Sequence, residues 1–277
     1  MAQSMQNIKR RIRSIKSTMK ITNAMELVAT SKLQKEKTRM EHNKEYANCL
    51  YETMTKILAS SDQFDNAFLK KPAFDKPLVI IVTSDTGLCG AYNTNILRFV
   101  EENLQGNEEL IVIGTKGINW ARRNGKEVMQ EYNSFEKVSF AQTSVIANIA
   151  IDLYRKEEIS QIRILYAEYV NSMDFDPTSL IILPVEETEK KLDKEILFEP
   201  SANSILDELI PMYVRNMLYS TILRAKTSEY ASRRLAMENA TDNAEELTDE
   251  LMLEYNQARQ GAITQEITEI ITGAEAL

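Results

Sequence analysis

The residues with most chemical promise lie in 83–91, where Ser84-Asp85-Thr86-Gly87-Leu88-Cys89-Gly90 follows an apolar run and precedes a helical pattern. A strand, a glycine-bearing turn and a helix start make a natural phosphate site, because free backbone N–H groups at a helix N-terminus attract anions. This turn is neither G-x-G-x-x-G nor G-x-x-x-x-G-K-[ST], and no lysine stands where it would meet a phosphate. It therefore reads as structural, with Gly87 and Gly90 permitting a tight backbone and Ser84 or Asp85 capping the following helix. Two chemical uses stay open at this point: a hydrolase built on Asp85, and a nucleophile at Cys89, whose thiol at a helix start would ionise readily. Against both, His42 is the single histidine and sits among Glu41, Asn43 and Lys44 on a polar helix surface. Without a second histidine or a C-x-x-C there is no zinc set, and the acidic run Glu186-Glu187-Thr188-Glu189 lacks the ligand spacing of an EF-hand. No catalytic residue, cofactor or metal ligand is assigned.

The elements that position this turn form an α/β domain over 76–186. Leu78-Val79-Ile80-Ile81-Val82-Thr83 is a short β-branched run, the mark of a strand buried on both faces. A helix over 92–104 leads to a second strand at 110–114, a helix at 116–124, a short strand at 127–132, a helix at 143–156 and a strand at 162–166. The last strand, 179–183, follows Asp174-Phe175-Asp176-Pro177, a loop too short for a helical crossover, so it should run antiparallel. The sheet is thus mostly parallel and Rossmann-like, with an antiparallel edge. Residues 186–193 read as a charged linker.

Two long helices flank this domain, at 1–58 and 205–277. Ile8, Ile12, Ile15, Met19 and Thr22, then Met25, Val28, Ala29 and Leu33, make an apolar stripe along the first. Ala240, Ala244, Leu247, Leu251, Tyr255, Ala258 and Ala262 make a seam along the second. Seventy helical residues would reach roughly 105 Å, longer than a domain of this size is wide. Part of the tail must find its burial elsewhere. The first 40 residues hold ten Lys and Arg against two Glu, whereas the tail holds six against thirteen acids. An antiparallel coiled coil between the two is the economical arrangement, and opposite charge should favour it, though exposed pairs contribute only ~0–1 kcal/mol each. A basic helix can alternatively meet nucleic acid or acidic lipid. The formal net charge of -8 argues against a general nucleic-acid binder. No run of about 18 apolar residues occurs, so a membrane span is not expected. The basic N-terminus lacks the apolar stretch of a signal peptide. Cys49 and Cys89 lie in settings that predict no bridge.

The two ends carry a resemblance. Ile8-Lys9-Arg10-Arg11-Ile12-Arg13-Ser14-Ile15, followed by Ile21-Thr22-Asn23-Ala24-Met25-Glu26-Leu27-Val28-Ala29, resembles the N-terminal helix of the γ subunit of F-type ATP synthases. Glu238-Asn239-Ala240-Thr241-Asp242-Asn243-Ala244 and the run from Tyr255-Asn256-Gln257-Ala258-Arg259-Gln260-Gly261-Ala262 to Ile267 are similar to that family's C-terminal motifs, and Gly87-Leu88-Cys89-Gly90 also matches. The charged insertion with paired cysteines of the redox-regulated chloroplast form has no counterpart.

The resemblance implies a non-catalytic rotor, the central stalk of the complex on the cytoplasmic face of the membrane. Its partners would be the α3β3 ring, the ε subunit and the c-subunit ring. It also implies roles by position. Arg259 and Gln260 would meet loops of the catalytic β subunits, with Gln265 and Thr268 joining that region. Met25, with Lys20 nearby, would face Arg233 in a neighbourhood that affects coupling. Residues 1–8 and 262–277 would turn in the apolar sleeve of the ring. The competing reading is a coiled-coil scaffold with a nucleotide-sensing α/β domain, which predicts nucleotide binding by the isolated chain.

Overall fold

The structure, a computed structural model, describes residues 2–60, 66–70, 72–133, 138–171, 174–185, 198–199 and 201–275. The expected linker at 186–193 and its acidic run lie outside the described residues. The elements are α1 (Ala2–Leu58), β1 (Pro77–Val82), α2 (Tyr92–Asn103), β2 (Glu109–Ile113), α3 (Thr115–Arg123), β3 (Gln130–Tyr132), α4 (Phe140–Arg155), β4 (Gln161–Tyr169), β5 (Phe175–Leu183) and α5 (Ala202–Glu275). They group into two compact units, one of Met1–Thr30 with Arg233–Leu277, the other Ser31–Ser232.

In the larger unit the sheet order is β3-β2-β1-β4-β5. The first four strands are parallel and β5 runs antiparallel to β4. All six residues of β1 are buried, as a continuous β-branched run demands when helices cover both faces. On one face Val79, Ile81 and Val112 pack against Ile96 and Val100 of α2 and Ile118 and Trp120 of α3. On the other, Leu78, Ile80, Val82, Ile111 and Ile113 join Ile146, Ala150 and Tyr154 of α4, Ile210, Leu218 and Ile222 of α5, and Met54 and Ile57 of α1. Each Val, Leu, Ile or Met among them contributes about 1.5–3 kcal/mol on burial.

The last hairpin is tighter than its sequence indicates. Phe175, Asp176 and Pro177 belong to β5, opposite Tyr169, Glu168 and Ala167, instead of forming a loop. Proline is tolerated there because β5 is an edge strand, where a missing N–H costs no ladder bond. The tail helix also starts earlier than its stripe indicates. Ser201 stands just before Ala202, and its hydroxyl accepts from Ser204 N at 3.2 Å, in the manner of an N-cap.

In the smaller unit α1 and α5 pair antiparallel around Ile8, Ile12 and Leu251, with Ile15, Tyr255 and Ala258 against them. The hydroxyls of Thr22 and Thr241 meet at 2.8 Å. The seam differs from its sequence reading at two points. Leu247 is 48% exposed while Thr248 is buried, and Val28 faces out while Ala29 faces in. A step of four from Ala244 reaches Thr248, a step of three reaches Leu247, and both lead on to Leu251. The buried Thr248 hydroxyl bonds back to Ala244 O at 2.8 Å, so it sits in an apolar seam without a stranded polar atom. Lys9, Arg10, Arg11, Arg13, Lys16 and Lys20 point outward, as do Glu245, Glu246, Asp249, Glu250 and Glu254. Apolar packing and the Thr22–Thr241 hydroxyl pair both contribute to the seam.

Candidate functional site

Open α/β sheets bind ligands at the carboxyl ends of their strands, where the direction of winding reverses. Here that point lies between β1 and β4, and the turn at 83–91 borders it. The crevice is filled by the protein's own α5. Ser232 Oγ donates to Cys89 O at 2.7 Å, Ser228 Oγ to Ala167 O at 2.9 Å, and Tyr92 Oη to Ala225 O at 3.2 Å. Cys89, Tyr92 and Ala167 form a buried cluster with Phe175 against them. Small side chains at 225, 228, 231 and 232 let the helix backbone approach this closely. Sequence reasoning missed the plug, although Ser228 and Ser232, one turn apart among alanines, were the signal for it.

The turn itself is held by side chains. Asn93 Oδ1 accepts from Ser84 Oγ at 3.0 Å, and Asn93 Nδ2 reaches Cys89 Sγ at 3.1 Å. Cys89 is buried, which removes it as an accessible nucleophile. Asp85 does not cap α2, whose N-cap is Ala91 with no side-chain bond. Its Oδ1 accepts instead from Thr115 N at 3.1 Å and Thr115 Oγ1 at 3.2 Å, so it caps α3 across the sheet. That carboxylate thus sits at the start of α3, and the start of α2 carries no side-chain cap. Gly90 adopts a positive φ of 54°, but the other left-handed residue of the turn is Leu88, at 59°, and its side chain is exposed. Gly114, at φ 99°, brings the start of α3 onto Thr83, where an added Cβ would lie 2.3 Å from Thr83 O. Gly117 N then donates to Thr83 Oγ1 at 2.9 Å.

A second organising residue, also missed, is Arg39. It grips Glu36 through both carboxylate oxygens at 2.8 and 3.0 Å, donates to Val138 O and reaches Tyr219 Oη at 3.1 Å. Burial opposes its charge, but Glu36 beside it and the Tyr219 bond hold the guanidinium pKa above its ordinary value. His42 and Cys49 lie on the exposed surface of α1, and no metal-binding cluster occurs among the described residues.

The residues singled out for partner contact lie mostly on open surface. Arg259 and Gln260 are exposed. Gln265 Nε2 donates to Glu269 Oε1 at 2.9 Å, and Thr268 Oγ1 to Thr264 O at 2.8 Å, both on the outside of the helix. Ile263, Ile267, Ile270 and Ile271 are exposed beside them. Lys20 is exposed, Met25 half-buried and Arg233 buried. From the Thr22–Thr241 pair the antiparallel register sets Met25 level with Glu238, five residues from Arg233.

The family model described as ATP synthase matches residues 4–277. The ATP synthase gamma chain of Alkaliphilus metalliredigens is 38% identical over the whole of both chains. That of Mycoplasmopsis synoviae is 39% identical over 98% of each, and that of Clostridium acetobutylicum 39% identical over 98% of this chain and 97% of its own. The fold is similar to the rotor of the Euglena gracilis mitochondrial ATP synthase, with a TM-score of 0.71 at 16% identity over 95% of this chain and 100% of that one. The central stalk and c-ring structure from Tetrahymena thermophila gives 0.60 at 24% identity over 79% and 99%. Sequence relatedness over full length, with a fold to match, means that this chain belongs to the ATP synthase gamma-chain family.

Proposed function

We propose that the chain is the central-stalk rotor of the F1Fo ATP synthase, coupling ion flow through the membrane sector to ATP synthesis or hydrolysis at the catalytic β subunits. The observation that carries this reading is the exposed distal stretch of α5, where Arg259 and Gln260 stand beside four open isoleucines. Apolar side chains so placed need a covering that the described residues do not supply, and an encircling α3β3 ring would supply it. Arg259 and Gln260, with Gln265 and Thr268, are then the contacts to β-subunit loops. An arginine suits that task because its fork grips carboxylates bidentately. Lys20, Met25 and Arg233 form the coupling neighbourhood further down the shaft. The segments 1–58 and 205–277 act as the coiled-coil shaft, and 76–186 as the domain that meets the ε subunit and the c-ring.

The chain works as a subunit of the complex and has no active site of its own. The crevice filled by Ser228, Ser232 and Tyr92 supports that, and also weighs against a nucleotide-sensing scaffold. It lies peripherally on the cytoplasmic face of the membrane; no helix among the described residues is long and apolar enough to cross one. The test is reconstitution with α and β subunits. Arg259→Ala, or removal of about the last dozen residues, should lower ATP-driven torque. Unchanged torque in both would overturn the contact assignments, and nucleotide binding by the isolated chain would favour the scaffold.

A further inference from the structure

Three helices of the larger unit meet at one level through Arg39 of α1, Phe140 of α4 and Tyr219 of α5. Arg39 Nη2 reaches Tyr219 Oη at 3.1 Å, and the Phe140 and Tyr219 rings stand edge to face with centroids 5.6 Å apart. Residues three and four apart share a helix face. One turn along, on those same faces, come Asn43, four beyond Arg39; Ser144, four beyond Phe140; and Asn216, three before Tyr219. The helix directions agree, because the next rung joins Arg215 Nε to Asn148 Oδ1 at 2.8 Å. At each of the three positions a buried side-chain atom has no hydrogen-bond partner among the described residues: Asn43 Nδ2, Ser144 Oγ and Asn216 Oδ1. Asn216 is 1% exposed.

We propose that these three atoms form a hydration site that holds one water at the α1–α4–α5 junction. The set comprises a donor, an acceptor and a hydroxyl able to be either, the complement of a water making three hydrogen bonds. The inward N–H of Asn43 would repel a cation, and three neutral groups offer an anion no charge. The water ties the helices at one level, so a slip of α1 or α5 by a turn strands all three atoms. Buried polar groups set register in helical cores in this way.

A high-resolution map of the assembled F1 complex containing this chain should show solvent density within hydrogen-bond distance of all three atoms. Asn216→Leu alone should lower the melting temperature of the full chain by roughly 4 °C, because it strands the other two groups. The triple variant Asn43→Leu, Ser144→Ala, Asn216→Leu should recover most of that loss. A map without that density, an Asn43 amide bonded directly to Asn216, or a triple variant as unstable as its three changes summed would each overturn the site. If Asn216→Leu fails to fold, the wild-type map alone decides.

Discussion

Two stretches of one helix carry similar apolar side chains and opposite burial. Leu206, Ile210, Leu218, Ile222 and Leu223 of α5 are buried to within 1% of completely, whereas Leu253, Ile267, Ile270 and Ile271 of the same helix are more than half exposed, Ile270 to 71%. The first stretch packs on a sheet and two other helices of this chain. Along the second, Tyr255 and Ala258 pack against the seam to α1, and the isoleucines beyond them are exposed. A helix stripe is thus only a demand for burial, and the partner that meets it can come from the same chain or from another.

The contrast can be broken first at its strongest point. Ile222→Ala should cost about 2–5 kcal/mol of stability, read as a lower denaturant midpoint of the isolated chain. A loss no larger than that of a surface substitution would remove the distinction between the two stretches.

Alkaline titration probes the same buried region. Burial pushes the Tyr154 phenol up to about 12, and burial with nearby Tyr51 does the same for Tyr213. The folded state therefore holds these protons more tightly than the unfolded chain, whose phenols titrate near 10. Stability from this source is complete below pH ~10 and lost as pH rises towards ~12. Tyr154→Phe should flatten that alkaline loss, and an unchanged slope would show that the phenol does not titrate as described.

Asp85→Ala removes the cap on α3 and should cost about 0.5–2 kcal/mol, with hydrogen exchange accelerated in the first turn of α3 and not of α2. Acceleration in α2 instead would return Asp85 to the helix that follows it in sequence. Within the coiled coil, Thr22→Val should cost about 0.5–1.5 kcal/mol, and the double variant with Thr241→Val less than the two single losses combined. Strict additivity would mean that the two hydroxyls do not bond. Smallest of all, Ile270→Ala should change the stability of the isolated chain by no more than about 0.5 kcal/mol while weakening association with α and β subunits. A large loss in the isolated chain would mean that the distal stretch is buried by its own fold.

Much of the fold was legible beforehand. β-Branched runs marked the strands, the short hairpin dictated the antiparallel edge, and four-three spacing marked the helices that pair. The errors share one cause. Asp85 was assigned to α2 because local sequence offers no other helix, yet its partner Thr115 lies 30 residues away and is brought near by the parallel β1–β2 pairing. Charge imbalance between the ends says nothing of which side chains turn inward, and Lys9, Arg10, Glu245 and Glu246 face water. Arg39 looked like one more solvated cation until the segment before α4 supplied Val138 O to it, and α5 supplied Tyr219.

By itself the sequence determined the period of each element, hence its type, and showed at 83–91 neither G-x-G-x-x-G nor G-x-x-x-x-G-K-[ST]. Long terminal motifs determined the family. Which of two equally spaced residues turns inward, Leu247 or Thr248, is undetermined by periodicity, since both steps lead to Leu251; the approach of the facing helix decided it. Tertiary structure likewise decided that the crevice beside Cys89 is filled by Ser228 and Ser232, because close backbone approach depends on which helix arrives there and not on any local propensity.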